Sequence, residues 1–74
     1  MDIQTKGKET VIIGIVTEAL PNTHFRIRPE NSDGILMAYL GGKMKMHKIR
    51  VLVGDKVEVL IDPYGGKGRI IRRL

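Results

Sequence analysis

Between positions 10 and 73 the apolar residues come in short runs broken by glycine, proline and asparagine, and where they are periodic the period is two. The stretch 10–20, TVIIGIVTEAL, is rich in β-branched residues and interrupted by Gly14. It predicts a long first strand that pairs on both sides and bends at a bulge at the glycine. Pro21 and Asn22 end it in a turn, and a hairpin follows. In His24-Phe25-Arg26-Ile27-Arg28, alternation sends Phe25 and Ile27 to the core and His24, Arg26 and Arg28 to the other face, until Pro29 closes the strand. A polar turn, 30–34, leads to a third strand over 35–40. Its Leu36, Ala38 and Leu40 point inward, leaving Tyr39 outside. A Gly54-Asp55 turn opens a fourth strand with Val57, Val59 and Ile61 inward, and a glycine-rich turn over 63–68 opens a basic last strand, 69–73.

The segment 41–50, GGKMKMHKIR, starts with paired glycines and lacks alternation, so it reads as a loop or a short irregular helix. Five strands with one such insertion between the third and fourth predict an all-β fold, a small closed barrel. The five-stranded OB-fold, a Greek-key barrel, matches that pattern. SH3-like and Sm-like barrels share the strand count, which does not separate them. The polar residues 1–9 are expected to be a flexible leader, and 10–74 a single OB-fold domain.

Charge adds a partner class. Of 13 Lys and Arg, four (Lys43, Lys45, Lys48 and Arg50) lie within eight positions that hold no acid, beside His47, Met44 and Met46. Residues 1–39 carry four basic against five acidic side chains, and residues 40–74 nine against three, so the net charge of +5 belongs to the second half. With a pI near 9.9 an anionic partner is expected. If strands two and three pair, Tyr39 shares a face with Arg26, the combination that stacks bases while holding phosphates. Met44 and Met46 have a second reading as apolar anchors of the loop.

Length and composition set limits. A 74-residue chain buries only about 60% of its unfolded surface. It has no cysteine, so neither a disulfide nor a Cys-based zinc site is available to support the core. The longest apolar run, VIIGIV, is too short for a membrane span or a signal-peptide core, and the expected compartment is the cytoplasm or the interior of an organelle. The two histidines, His24 and His47, lie apart without cysteines or clustered carboxylates, so no metal site is expected. Ser32, the single serine, sits in a turn with no nucleophile signature around it. Gly65-Gly66-Lys67-Gly68 lacks the phosphate-loop spacing and precedes a strand, whereas that motif opens a helix. No catalytic activity is expected.

Read together, LPNTHFRI from Leu20, AYLGGKMKMHKIRVLVGDKVEV from Ala38 and PYGGKGRII from Pro63 resemble bacterial-type translation initiation factor one, plastid members included. The resemblance runs from about Gly14 to Arg73. Its motifs are individually weak but specific in combination and order. It implies an OB-fold monomer without cofactor that binds the small ribosomal subunit at the decoding A-site. It further implies contacts to the rRNA decoding region and a neighbouring ribosomal protein, occlusion of tRNA and cooperation with other initiation factors. By motif match, Lys43 and Met44 take the loop positions, Arg50 the basic position after it, Lys67 and Arg69 those of the last hairpin, and Arg26 the arginine after the strand-two phenylalanine. With Tyr39, Lys45, His47 and Lys48 these complete the expected RNA-binding set. The family pattern usually has an arginine at Lys45, a second basic residue at Met46, an aromatic at Lys48 and often a histidine at Tyr39. A lysine at position 45 keeps the charge but not arginine's planar, bidentate contact. General single-stranded RNA binding of cold-shock type, and a protein-interaction barrel, are the rival classes. Cold-shock binding normally uses several surface aromatics, and this chain has three aromatics in all, with Phe25 assigned to the core.

Overall fold

The computed structural model describes residues 10–61 and 66–74. The expected leader, 1–9, and the first part of the last turn lie outside them. Five strands are present: β1 (Thr10–Leu20), β2 (His24–Pro29), β3 (Leu36–Leu40), β4 (Lys56–Ile61) and β5 (Gly68–Arg73), with a helix α1 (Gly42–Met46) between β3 and β4. They close into a barrel in the order β1-β2-β3-β5-β4, which is the OB-fold arrangement. β1 is the long strand because it serves two partners, pairing antiparallel with β2 and with β4. Closure comes from a short parallel ladder between β3 and β5, Ala38 opposite Gly68, Tyr39 opposite Arg69 and Leu40 opposite Ile70.

The inward residues are those that alternation selects. Ile27, Ala38, Val57, Val59 and Ile70 are fully buried, with Val16, Phe25, Met44 and Val51 beside them. No polar side chain is buried among the described residues. Burial therefore comes without a desolvated charge to compensate.

Two features differ from the sequence reading. The bulge of β1 falls between Val16 and Glu18, at Thr17, and not at Gly14, which sits in regular register opposite both Pro29 and Val57. Gly14 answers a different need: a Cβ there would lie 2.5 Å from Ile27 Cγ2 and 2.9 Å from the Arg28 carbonyl oxygen. The bare backbone lets β2 come close, while Thr17 takes the extra residue and its hydroxyl donates to the Arg26 carbonyl at 3.2 Å. The third strand begins at Leu36, since Ile35 is left exposed outside the ladder.

The β1–β2 turn carries strain. Asn22 and Thr23 both have positive φ, 62° and 57°. They are the central residues of a turn closed by the His24 N–H on the Pro21 carbonyl at 3.4 Å, within the connection 21–23 between the paired Leu20 and His24. A β-branched threonine is an unusual occupant, at a cost of about 1–2 kcal/mol.

Candidate nucleic-acid interface

The basic segment folds as one helical turn with a defined end. The Lys45 N–H donates to the Gly41 carbonyl at 3.1 Å. At the other end the Ile49 N–H donates to the Met44 carbonyl and the Lys48 N–H to that of Lys45, both at 3.0 Å. This paired closure normally places glycine just past the helix, and here the left-handed position, φ 55°, is held by Lys48. Ile49 packs against the same core that buries Met44, the apolar contact that accompanies such an ending.

The fold sorts the candidate residues of this segment. Lys43, Lys45, His47, Lys48 and Arg50 are exposed. Met44 is only 2% exposed, so as folded it offers no surface to a ligand. It is the apolar pin that seats α1 on the barrel, and Met46, 69% exposed, is the methionine that stands among the charges. Among the described residues, ion pairs engage Arg26 with Glu18 (3.5 Å), Lys56 with Glu30 (3.4 Å) and Arg72 with Glu58 (3.2 Å), none of them in the helical segment.

A second group forms on the outer face of the sheet. His24 is opposite Tyr39, and Tyr39 is opposite Arg69, which sets a histidine, a tyrosine and an arginine in one row across β2, β3 and β5. The two rings are tilted at 42° with centroids 6.2 Å apart. Arg26 lies in the next row, opposite Met37. Its pair with Glu18 is about half exposed on both sides and holds it weakly. Lys67 Nζ lies 2.9 Å from His24 Nε2, which brings the last hairpin over this face.

Gly41 joins the two groups. Its N–H donates to the Ile70 carbonyl at 3.0 Å, continuing the β3–β5 ladder to the start of the helix. A Cβ at Gly41 would lie 3.2 Å from Arg69 Cγ, so the stem of Arg69 runs against the helix entry. Of the candidates, Tyr39, Lys67 and Arg69 come together on the sheet, the helical cations begin directly beyond them, and Met44 is withdrawn.

Two residues outside the candidate set touch it. His24 meets both Tyr39 and Lys67; alternation already put it on the outer face, but its partner is 43 positions away. Arg73 donates to the Arg50 carbonyl at 3.0 Å, tying the end of the basic segment to β5. Nothing in local sequence marks that contact. Among the described residues no three His, Asp or Glu side chains converge as metal ligands would.

The family model described as translation initiation factor 1A / IF-1 matches residues 1–74. The chloroplastic translation initiation factor IF-1 of Sorghum bicolor is 52% identical over 62 residues, covering 82% of this chain and 57% of that relative. The chain thus spans little more than half the length of the curated relatives it matches. In solved structures, the solution structure of translation initiation factor one from the Wolbachia endosymbiont of Brugia malayi matches the whole chain and 88% of its own, with a TM-score of 0.75 and 36% identity. The crystal structure of YjeQ from Thermotoga maritima shares the barrel over 88% of this chain and 23% of its own, at a TM-score of 0.75 and 26% identity.

Proposed function

Because the chain belongs to the translation initiation factor 1A / IF-1 family, we propose that it binds the small ribosomal subunit at the decoding A-site through rRNA contacts. There it blocks premature entry of tRNA and cooperates with the other initiation factors. The role is one of binding: the protein acts as a monomer, without catalysis or cofactor, and a neighbouring ribosomal protein completes its site. The chloroplastic names of its relatives favour the plastid stroma over a bacterial cytoplasm as its compartment.

The observation that carries this reading is the hydrogen bond from Gly41 to Ile70. It holds the exposed cations of α1 in continuity with the Tyr39 and Arg69 row, so one structured RNA can meet both groups at once. Such an RNA is recognised by shape and phosphate position, for which fixed cations on a rigid barrel are suited. A general single-strand binder instead stacks successive bases on several aromatic rings. Phe25 is buried here, and Tyr39 is the aromatic that the described part of the sheet face presents.

Binding of the labelled protein to purified small subunits tests the reading, with unstructured single-stranded RNA and an aminoglycoside of the decoding site as competitors. Saturable one-to-one binding that resists the single strand and yields to the aminoglycoside is the expected result. Equal affinity for any single strand would replace it with the cold-shock-type reading, and absence of RNA binding at low salt would point to protein partners.

A further inference from the structure

We infer that His24 is a positioning residue of the RNA interface, a neutral imidazole that holds the Lys67 ammonium on the sheet face where it meets a phosphate. The inference rests on the proposed RNA-binding function and adds to it a residue that lies outside the expected contact set. Both ring nitrogens of His24 are engaged. Nδ1 is 2.8 Å from the Asn22 carbonyl oxygen and Nε2 is 2.9 Å from Lys67 Nζ. A carbonyl can only accept and an ammonium can only donate. The proton is therefore on Nδ1 and the free lone pair on Nε2, the assignment in which both contacts are hydrogen bonds.

This chain of contacts joins three parts of the fold. Asn22 belongs to the strained β1–β2 turn, His24 opens β2, and Lys67 directly precedes β5, so the lysine crosses over β3 to reach the histidine. Among the described residues, the neighbours of the contact in the strand register are the Tyr39 ring from β3, Arg69 opposite that tyrosine on β5, and, further along β2, Arg26, which is paired with Glu18. The described residues bring Lys67 and Arg69 together here without an ion-pair partner for either in the row itself, which makes an anion the complementary ligand. An exposed lysine otherwise ranges over many rotamers, and ordering it on binding costs affinity. Anchored by one of its three N–H donors, Lys67 keeps two for phosphate oxygens.

The test combines a spectrum with a cycle of variants. Nitrogen-15 spectra of the imidazole in the free protein are expected to report the Nδ1–H form of His24. His24→Leu removes the acceptor and should weaken binding to small subunits about two- to fivefold. His24→Gln, whose amide oxygen can accept from Lys67, should restore most of that loss. In a Lys67→Ala background the His24→Leu change should add nothing. An Nε2–H imidazole in the free protein would overturn the inference, as would a His24→Leu effect that persists undiminished without Lys67. Should His24→Leu fail to fold, His24→Gln against Lys67→Ala and the imidazole spectrum still decide. A wild-type protein that binds no subunits would instead overturn the functional reading and the ligand assigned here, while the spectrum would report the His24–Lys67 contact independently.

Discussion

Lys48 and Met44 are bound to the same turn by opposite demands. Met44 is driven into the core at 2% exposure, and its carbonyl accepts from Ile49 only because Lys48 turns the chain at a φ of 55°. A side chain in that left-handed region costs about 1–2 kcal/mol, which glycine avoids. A lysine kept there carries charge at a position where the backbone alone would be better served without it. Lys48→Gly should therefore raise stability by a few tenths to about 1 kcal/mol. The same change should weaken subunit binding and lower its salt dependence. Denaturant unfolding alongside binding at several salt concentrations checks both, and a loss of stability would show that the turn does not carry the strain assigned to it.

Met44 offers the reverse separation. Met44→Ala should destabilise the domain by about 2–5 kcal/mol, as expected for a buried large-to-small change, with α1 loosened from the barrel. Met44→Leu, close in volume, should cost less than about 1.5 kcal/mol and leave binding near normal. If Met44 touched RNA directly, Met44→Leu would lower affinity with stability unchanged. Thermal unfolding and subunit affinity of the two variants distinguish these outcomes.

Much of the barrel is legible in the sequence because period-two alternation is a local property. Phe25 and Ile27, Ala38, and Val57 and Val59 are all inward as that pattern requires. Contacts set by distant partners are not legible. Gly14 reads as a bulge from the sequence, since a glycine within a strand signals either a bulge or a close approach; which one applies depends on Ile27, on the neighbouring strand. A helix of five residues is too short to display a 3.6-residue period, so although an anchoring methionine is legible, which of Met44 and Met46 turns inward is not. Left-handed Asn22, Thr23 and Lys48 carry no glycine to announce them. For the site, charge clustering discloses the cations, but their joining through Gly41 and Ile70, and the reach of Lys67 to His24, depend on the closure of β3 on β5.

The close approach at Gly14 makes a prediction about the barrel itself. A methyl group there meets Ile27 Cγ2, and Ile27 is fully buried, so it has no solvent side to yield toward. The Arg28 carbonyl on the other side is fixed in the β1–β2 ladder. Gly14→Ala should therefore destabilise the fold by about 1–3 kcal/mol, as overpacking does. Gly54→Ala meets no neighbouring atom but holds a φ of 96°, so its cost is backbone strain alone, about 1–2 kcal/mol. Combining Gly14→Ala with Ile27→Ala, which removes the obstructing Cγ2, should cost less than the sum of the two single changes. Denaturation midpoints of the single and double variants measure this coupling; strictly additive losses would show that Ile27 is not the obstacle.

The charged segment makes the prediction that bears most directly on function. Lys43, Lys45 and Arg50 are exposed, whereas the buried side chains of their neighbourhood are those of Met44 and Val51. The triple change to alanine should thus leave the barrel folded. Arg50 needs separate care because its carbonyl receives the Arg73 guanidinium, but that acceptor is main chain and survives the substitution. Removing one cation from a phosphate lowers the slope of log affinity against log salt by roughly 0.7 to 0.9. If all three side chains touch phosphate, the slope should flatten by roughly 2 to 3, with affinity falling most at low salt. Adding Lys67→Ala should flatten it further, since Lys67 stands on the sheet face and not on the helix. A slope unchanged by the triple substitution, in a protein that still folds, would mean that these three cations serve solubility and that binding runs through other groups, the sheet face first among them.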